Sequence, residues 1–226
     1  MSRNIILTPG EFYHIYNRGT EKRNIFSSQA DYDRFLSLLY VSNGDIAVDL
    51  KRQGRTLSEV SRIDRGQALV DICAYCRMPN HFHLLIREIK EGGVSSFMQK
   101  LITGYTMYFN KRHDRTGALF QGKYKATHAQ DDSYLSYLIS YIHLNPVKLI
   151  DSKWKENGIK DRKKAKRHLK SYRYSSYLDY LGVKRIEKII LNKDALPKYF
   201  ETPEDFETNI ADWLKYQPRQ GRTLSM

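Results

Sequence analysis

The sequence predicts an α+β fold, an antiparallel sheet with helices packed on it, and three observations carry that prediction. Apolar residues alternate with a period of two at 11–18 and 81–88, and they recur at helical spacing at 31–42, 94–112 and 131–145. Turn-forming residues separate these stretches in the order βα, ββ hairpin, αβα.

In chain order, EFYHIYNR at 11–18 reads as a strand with Tyr13 and Ile15 opposite Phe12, His14 and Tyr16. DYDRFLSLLYVS at 31–42 puts Tyr32, Phe35, Leu36, Leu39 and Tyr40 on a helical stripe that Asn43-Gly44 ends. The polar stretch 44–68 contains three glycines and no sustained period, so it reads as a loop or insertion. ALVDICAYCRM at 68–78 is a buried strand, Pro79-Asn80 breaks it, and HFHLLIRE follows as its hairpin partner. Val94, Phe97, Met98, Leu101, Ile102, Tyr105, Tyr108 and Phe109 form the broad stripe of a helix lying on a sheet. After RHDRTG, ALFQGKYKATHA at 118–129 is strand-like, and DDSYLSYLISYIHLN is helical until Pro146. The division predicted is a core at 1–149 and a basic, aromatic accessory region at 150–226; no repeat or low-complexity tract occurs.

Lys and Arg number 38 against 25 Asp and Glu, a net charge of +13, which favours a polyanionic partner. Aromatic residues make up 12%, with 17 tyrosines, and unpaired bases stack on such rings while phosphates sit on the cations, so single-stranded nucleic acid is the expected partner. A mean hydropathy of −0.62 with 41% hydrophobic residues argues against a disordered or membrane chain. No secretory leader and no apolar stretch near ~18 residues is seen. With only Cys73 and Cys76 there is no disulfide framework, and the expected location is cytoplasmic.

Two constellations carry chemistry. In a strand, His81 and His83 point to one face and Phe82 to the buried other, a two-point metal clamp; a pair of exposed or hydrogen-bonded histidines is the alternative. On the helix, Tyr141 and Asn145 are four apart and share a face, as a reactive pair or as part of an apolar stripe with Tyr134, Tyr137 and Leu138. CAYC is not expected to bind zinc, because a strand sends Cys73 and Cys76 to opposite faces and no second CxxC exists.

In combination, MPNHFHLLI, then ALFQGKYKA, then YLSYLISYIHLNPVK resemble the REP-associated tyrosine transposases of the single-tyrosine HUH superfamily, as do YHIYNRG and YRYSSYLDYLG in the same order. The resemblance spans residues 11–182 and implies a ferredoxin-like, RRM-like core. It also implies His81 and His83 as metal ligands, Tyr141 as nucleophile and Asn145 as a third ligand or metal-proximal group for a divalent ion, magnesium or manganese. The implied activity is cleavage and rejoining of single-stranded DNA at REP-like hairpins through a 5′-phosphotyrosine, by a monomer or homodimer. Lys111, Arg112, Arg115, Lys123 and Lys125 are expected as a basic group near the site and Lys163, Lys164 and Arg167 as a second. Tyr172, Tyr174, Tyr177 and Tyr180 fit packing better than base stacking. The competing readings are a non-cleaving hairpin-binding regulator and a metal-dependent phosphodiesterase that uses water in place of Tyr141.

Overall fold

The structure is a computed structural model that describes residues 5–50, 54 and 56–215. Strand β1 (Phe12–Arg18) leads to helix α1 (Gln29–Ser42), the short α2 (Leu57–Val60), strands β2 (Val70–Met78) and β3 (His81–Glu88), and helix α3 (Gly93–Arg112). Strand β4 (Lys125–His128) and helix α4 (Asp132–Leu144) follow, then α5 (Trp154–Asn157), α6 (Arg162–Ser171), α7 (Tyr177–Tyr180) and α8 (Pro203–Lys215). The four strands are antiparallel in the order β2-β3-β1-β4, which is the ferredoxin-like arrangement expected. Among the described residues no helix is long and apolar enough to cross a membrane.

Alternation splits the sheet into two faces with different cover. Tyr13, Ile15, Phe82, Leu84 and Ile86 join Phe35, Leu39, Phe97, Leu101 and Tyr105 of α1 and α3 in one core. Leu85, Cys76 and Met78 join Leu135, Leu138, Ile139 and Ile142 of α4 in the other. Tight cross-connection fixes the β2–β3 turn: the Pro79 carbonyl accepts from the Ile25 and Phe26 amides, and the Asn80 carbonyl from the Gly19 amide. A Cβ at Gly19 would meet the Arg23 carbonyl oxygen at 2.4 Å, so this crossing requires glycine.

Three expectations change. The 44–68 segment is not all loop: Thr56 and Glu59 form a capping box that starts α2, whose Leu57 and Val60 are buried; residues 51–53 and 55 lie outside the described ones. ALFQGKYKATHA forms a strand only from Lys125, because Gly122 turns the chain at φ 72°. Cys73 and Cys76 are buried hydrophobes as expected but lie in the same core, since a bulge between Ile72 and Ala74 inserts a residue and reverses the alternation.

Residues after 150 are built onto the same sheet. Tyr174–Ser176 run along the free edge of β2, the Arg77 amide donating to the Tyr174 carbonyl and the Ser176 amide to the Tyr75 carbonyl, which covers an otherwise open edge. Tyr172 and Tyr180 donate their hydroxyls to the Arg77 and Cys73 carbonyls, so these rings are packed rather than offered to bases; Tyr177 is buried with them. Trp154, Leu169, Phe206 and Leu214 complete the second core beneath α4. The final residues, 216–226, lie outside the described ones.

Candidate functional site

The register places the chemistry on one face. His83 pairs with Tyr16, His81 with Arg18 and Lys125 with Tyr16, so His81, His83, His14, Tyr16 and Lys125 all project toward α4. Asp131 caps helix α4, its carboxylate accepting from the Tyr134 amide at 2.8 Å, and the apolar stripe seats the helix so that Tyr141 faces the strands. The Tyr141 ring stands edge-on to His83 and His14, with centroids 5.7 and 5.9 Å apart, and is 8% exposed. The His81 and His83 rings are 5.0 Å apart.

Hydrogen bonds set which imidazole nitrogens are available. Asn80 donates its carboxamide nitrogen to the Lys22 carbonyl at 3.2 Å, so its oxygen is the atom 2.6 Å from His81 Nδ1. That oxygen only accepts, so His81 carries its proton on Nδ1 and presents the lone pair of Nε2. His83 Nδ1 meets His14 Nε2 at 2.8 Å, which leaves its Nε2 turned away from that contact. Burial lowers His81 to about 4, with Lys148, Lys155 and Arg18 adding to it, and burial also pushes His83 well down. Neutral imidazoles oriented through Nδ1 are what a divalent cation requires, and in this respect the pair fits a metal. Among the described residues no three His, Cys, Asp or Glu side chains gather as a metal-holding group, so two imidazoles need oxygen ligands from elsewhere. Asn145 is buried one turn after Tyr141, with its carboxamide nitrogen donating to the Tyr141 carbonyl at 2.8 Å, and its side chain also hydrogen-bonds the Tyr141 phenol.

The basic residues sort by layer. Lys125 lies on the histidine face, 6.0 Å from the Tyr16 ring, and Lys123 is exposed just before it. Lys111, Arg112 and Arg115 are not beside the histidines, because α3 covers the opposite face: Arg112 pairs with Asp31 of α1 at 3.6 Å and Arg115 donates to Asn110. Lys163, Lys164 and Arg167 are exposed on α6, whereas Lys166 and Lys170 converge on Glu207 at 3.0 and 2.7 Å. Sequence reasoning passed over the cations that do surround the pair, Arg18, Lys148 and Lys155. Lys155 Nζ is 2.8 Å from the Tyr141 hydroxyl and 4.1 Å from its ring centroid. Burial pushes the Tyr141 phenol up, and Tyr137 and Tyr16 add to this.

The fold and site define an α+β protein whose paired strand histidines face a helix-borne tyrosine within a ring of cations. Residues 12–145, over half of the chain, match the IS200-like transposases, and the chain belongs to that family. It is similar in fold to a solved REP-associated tyrosine transposase bound to a REP hairpin, with a TM-score of 0.50 and 14% identity over 83% of this chain and 89% of that one. No curated protein sequence matches.

Burial of neutral histidines also fixes an acid sensitivity. His14 and His143 are both 0% exposed and lowered to about 3, first by burial. Below pH 6.5 the unfolded chain binds protons that the folded chain refuses, so stability is complete above that pH and declines toward pH 3. Each histidine costs up to about 1.4 kcal/mol per pH unit in that window. The melting temperature in EDTA is expected to fall by about 10 °C between pH 7 and pH 5, and a flat profile would contradict the buried neutral state.

Proposed function

We propose that this protein cleaves and rejoins single-stranded DNA at imperfect-palindrome hairpins, with Tyr141 as the nucleophile. The observation that carries the reading is that one chain brings the Tyr141 ring within 5.7 Å of His83, on a face lined by Arg18, Lys125, Lys148 and Lys155. Family membership supports a transposase, and the hairpin is suggested by what the structurally similar transposase binds.

His81 and His83 would hold a divalent ion, magnesium or manganese, through Nε2, with the Asn145 carboxamide oxygen as the proposed third protein ligand. Such an ion, when bound, polarises a phosphate and offsets charge on its oxygens. The chain itself does the remainder. Arg18, Lys125 and Lys148 on the histidine face draw in the scissile phosphate, and Tyr16, held 4.9 Å from His14, offers its outer face to a flanking base. Tyr141 attacks to give a 5′-phosphotyrosine and a free 3′-hydroxyl, and because the ester keeps the phosphodiester energy, a second 3′-hydroxyl can rejoin the strand. In this reading residues 150–215 are the accessory layer, with Lys163, Lys164 and Arg167 on DNA outside the site and Lys111, Arg112 and Arg115 on a distal part of it.

The test is a pool of labelled single-stranded oligonucleotides carrying imperfect-palindrome hairpins, incubated with protein and manganese and analysed on denaturing gels. A covalent adduct mapped to Tyr141 by mass spectrometry, and lost in EDTA, is expected. Tight hairpin binding with no adduct would mark a regulator and overturn the reading.

A further inference from the structure

Tyrosine is a poor nucleophile at neutral pH, since a free phenol ionises near pH 10, and the Tyr141 site makes ionisation harder still. Its surroundings are mostly apolar or neutral: the rings of His14, His83 and Tyr137 and the buried side chains of α4. One cation touches the oxygen that has to become charged. Lys155 Nζ lies 2.8 Å from Tyr141 Oη, and the same ammonium sits over the face of the ring at 4.1 Å.

This contact is built by the fold. Helix α4 stops at Leu144, a 3-10 segment at Asn145–Leu149 carries Pro146 in its first turn, and the chain folds back so that α5 begins beside the tyrosine. Trp154 is 5% exposed in the second core and anchors α5, which holds its neighbour Lys155 half-buried against Tyr141. Ordinary surface lysines spend their charge in water; this one spends it on a phenol oxygen.

We propose that Lys155 is a catalytic group, its ammonium donating to the attacking Tyr141 oxygen and stabilising the negative charge that develops there. The proposal rests on Tyr141 being the nucleophile. As the Oη–P bond forms and the P–O3′ bond breaks, the phenol proton passes to solvent and the departing 3′-oxygen takes one from water. Lys155 remains an ammonium throughout. On rejoining, the phenolate leaves the phosphorus and meets the same donor. Burial and Lys148 lower Lys155 to about 8, so it keeps its charge at pH 7. Preorganised donors of this kind act on charge that appears in the transition state, in a site where little water competes.

The experiment measures single-turnover adduct formation on the hairpin pool in manganese, for wild type and for Lys155→Met, Lys155→Arg and Lys155→Ala. Lys155→Met is expected to form adduct about 100-fold more slowly with hairpin affinity unchanged, the scale seen when one such donor is removed. Rejoining by purified adduct falls by the same factor, because both directions cross one transition state. Lys155→Arg recovers part of the loss, and added propylamine raises the rate of Lys155→Ala, a rescue that a packing role would not give. Should Lys155→Met fail to bind hairpins, Lys155→Ala with and without amine decides. Wild-type rates in either uncharged variant, with an adduct mapped to Tyr141, overturn the role of Lys155 alone. No adduct from wild type overturns it together with the reading on which it rests.

Discussion

Changing Tyr141 to phenylalanine is expected to abolish the covalent DNA adduct, by at least about 10⁴-fold, while hairpin affinity stays within about twofold of wild type. The substitution deletes one oxygen, to which Lys155 donates, and keeps the ring that packs on His83, His14 and Tyr137. No apolar cavity opens, so neither core is disturbed. Loss of a nucleophile is not made good by neighbouring groups, which gives the large factor. The outcomes also separate the competing chemistries. Strand cleavage that continues without adduct would assign the attack to water and reduce Tyr141 to a packing residue. An adduct of undiminished yield would place the nucleophile on another tyrosine, for which Tyr137, one turn back on α4, and Tyr16 of β1 are the neighbouring candidates.

What the sequence reveals of this site follows from where side-chain direction is periodic. Strand alternation puts His81 and His83 on one face, and helical spacing puts Tyr141 on the stripe with Tyr134 and Tyr137; both hold in the structure because those elements are regular. Alternation fails at Cys73, where a bulge adds a residue that no local composition announces. It also does not single out His14, although alternation over 11–18 gives the correct faces: the contact with His83 depends on β1 pairing with β3, across 69 positions of sequence. Lys155 is the extreme case. Its approach to Tyr141 needs the helix to end, a 3-10 turn to reverse the chain and Trp154 to find the core, three events with no shared period. The tail likewise shows basic and aromatic composition, yet the hydroxyls of Tyr172 and Tyr180 are committed to β2 carbonyls, which only the folded edge discloses.

A mixture of His81→Ala and Tyr141→Phe proteins is expected to yield no more adduct than either variant alone, each of which is near zero. With His81 and His83 holding the ion as proposed, losing one imidazole would remove half of the protein nitrogen ligands, so His81→Ala is expected to lose at least about 10³-fold in metal-dependent cleavage. Rescue by mixing would require the histidines of one chain to meet the tyrosine of another. Geometry argues against it. Within one chain α4 buries Leu135, Leu138, Ile139 and Ile142 against the second core, and releasing them costs roughly 6–12 kcal/mol at 1.5–3 kcal/mol per side chain. A reciprocal exchange would bury them again, but β4 ends at His128 and α4 starts at Asp132. Three residues between them span at most about 14 Å, and the first, Ala129, is tied by its amide to the Phe12 carbonyl. The residues beyond α4 would have to move as well, since Ser176 and Tyr180 hold β2 of their own chain. Adduct restored to a quarter or more of the wild-type level would show that α4 crosses between subunits despite this short tether, and the site would then be a shared one.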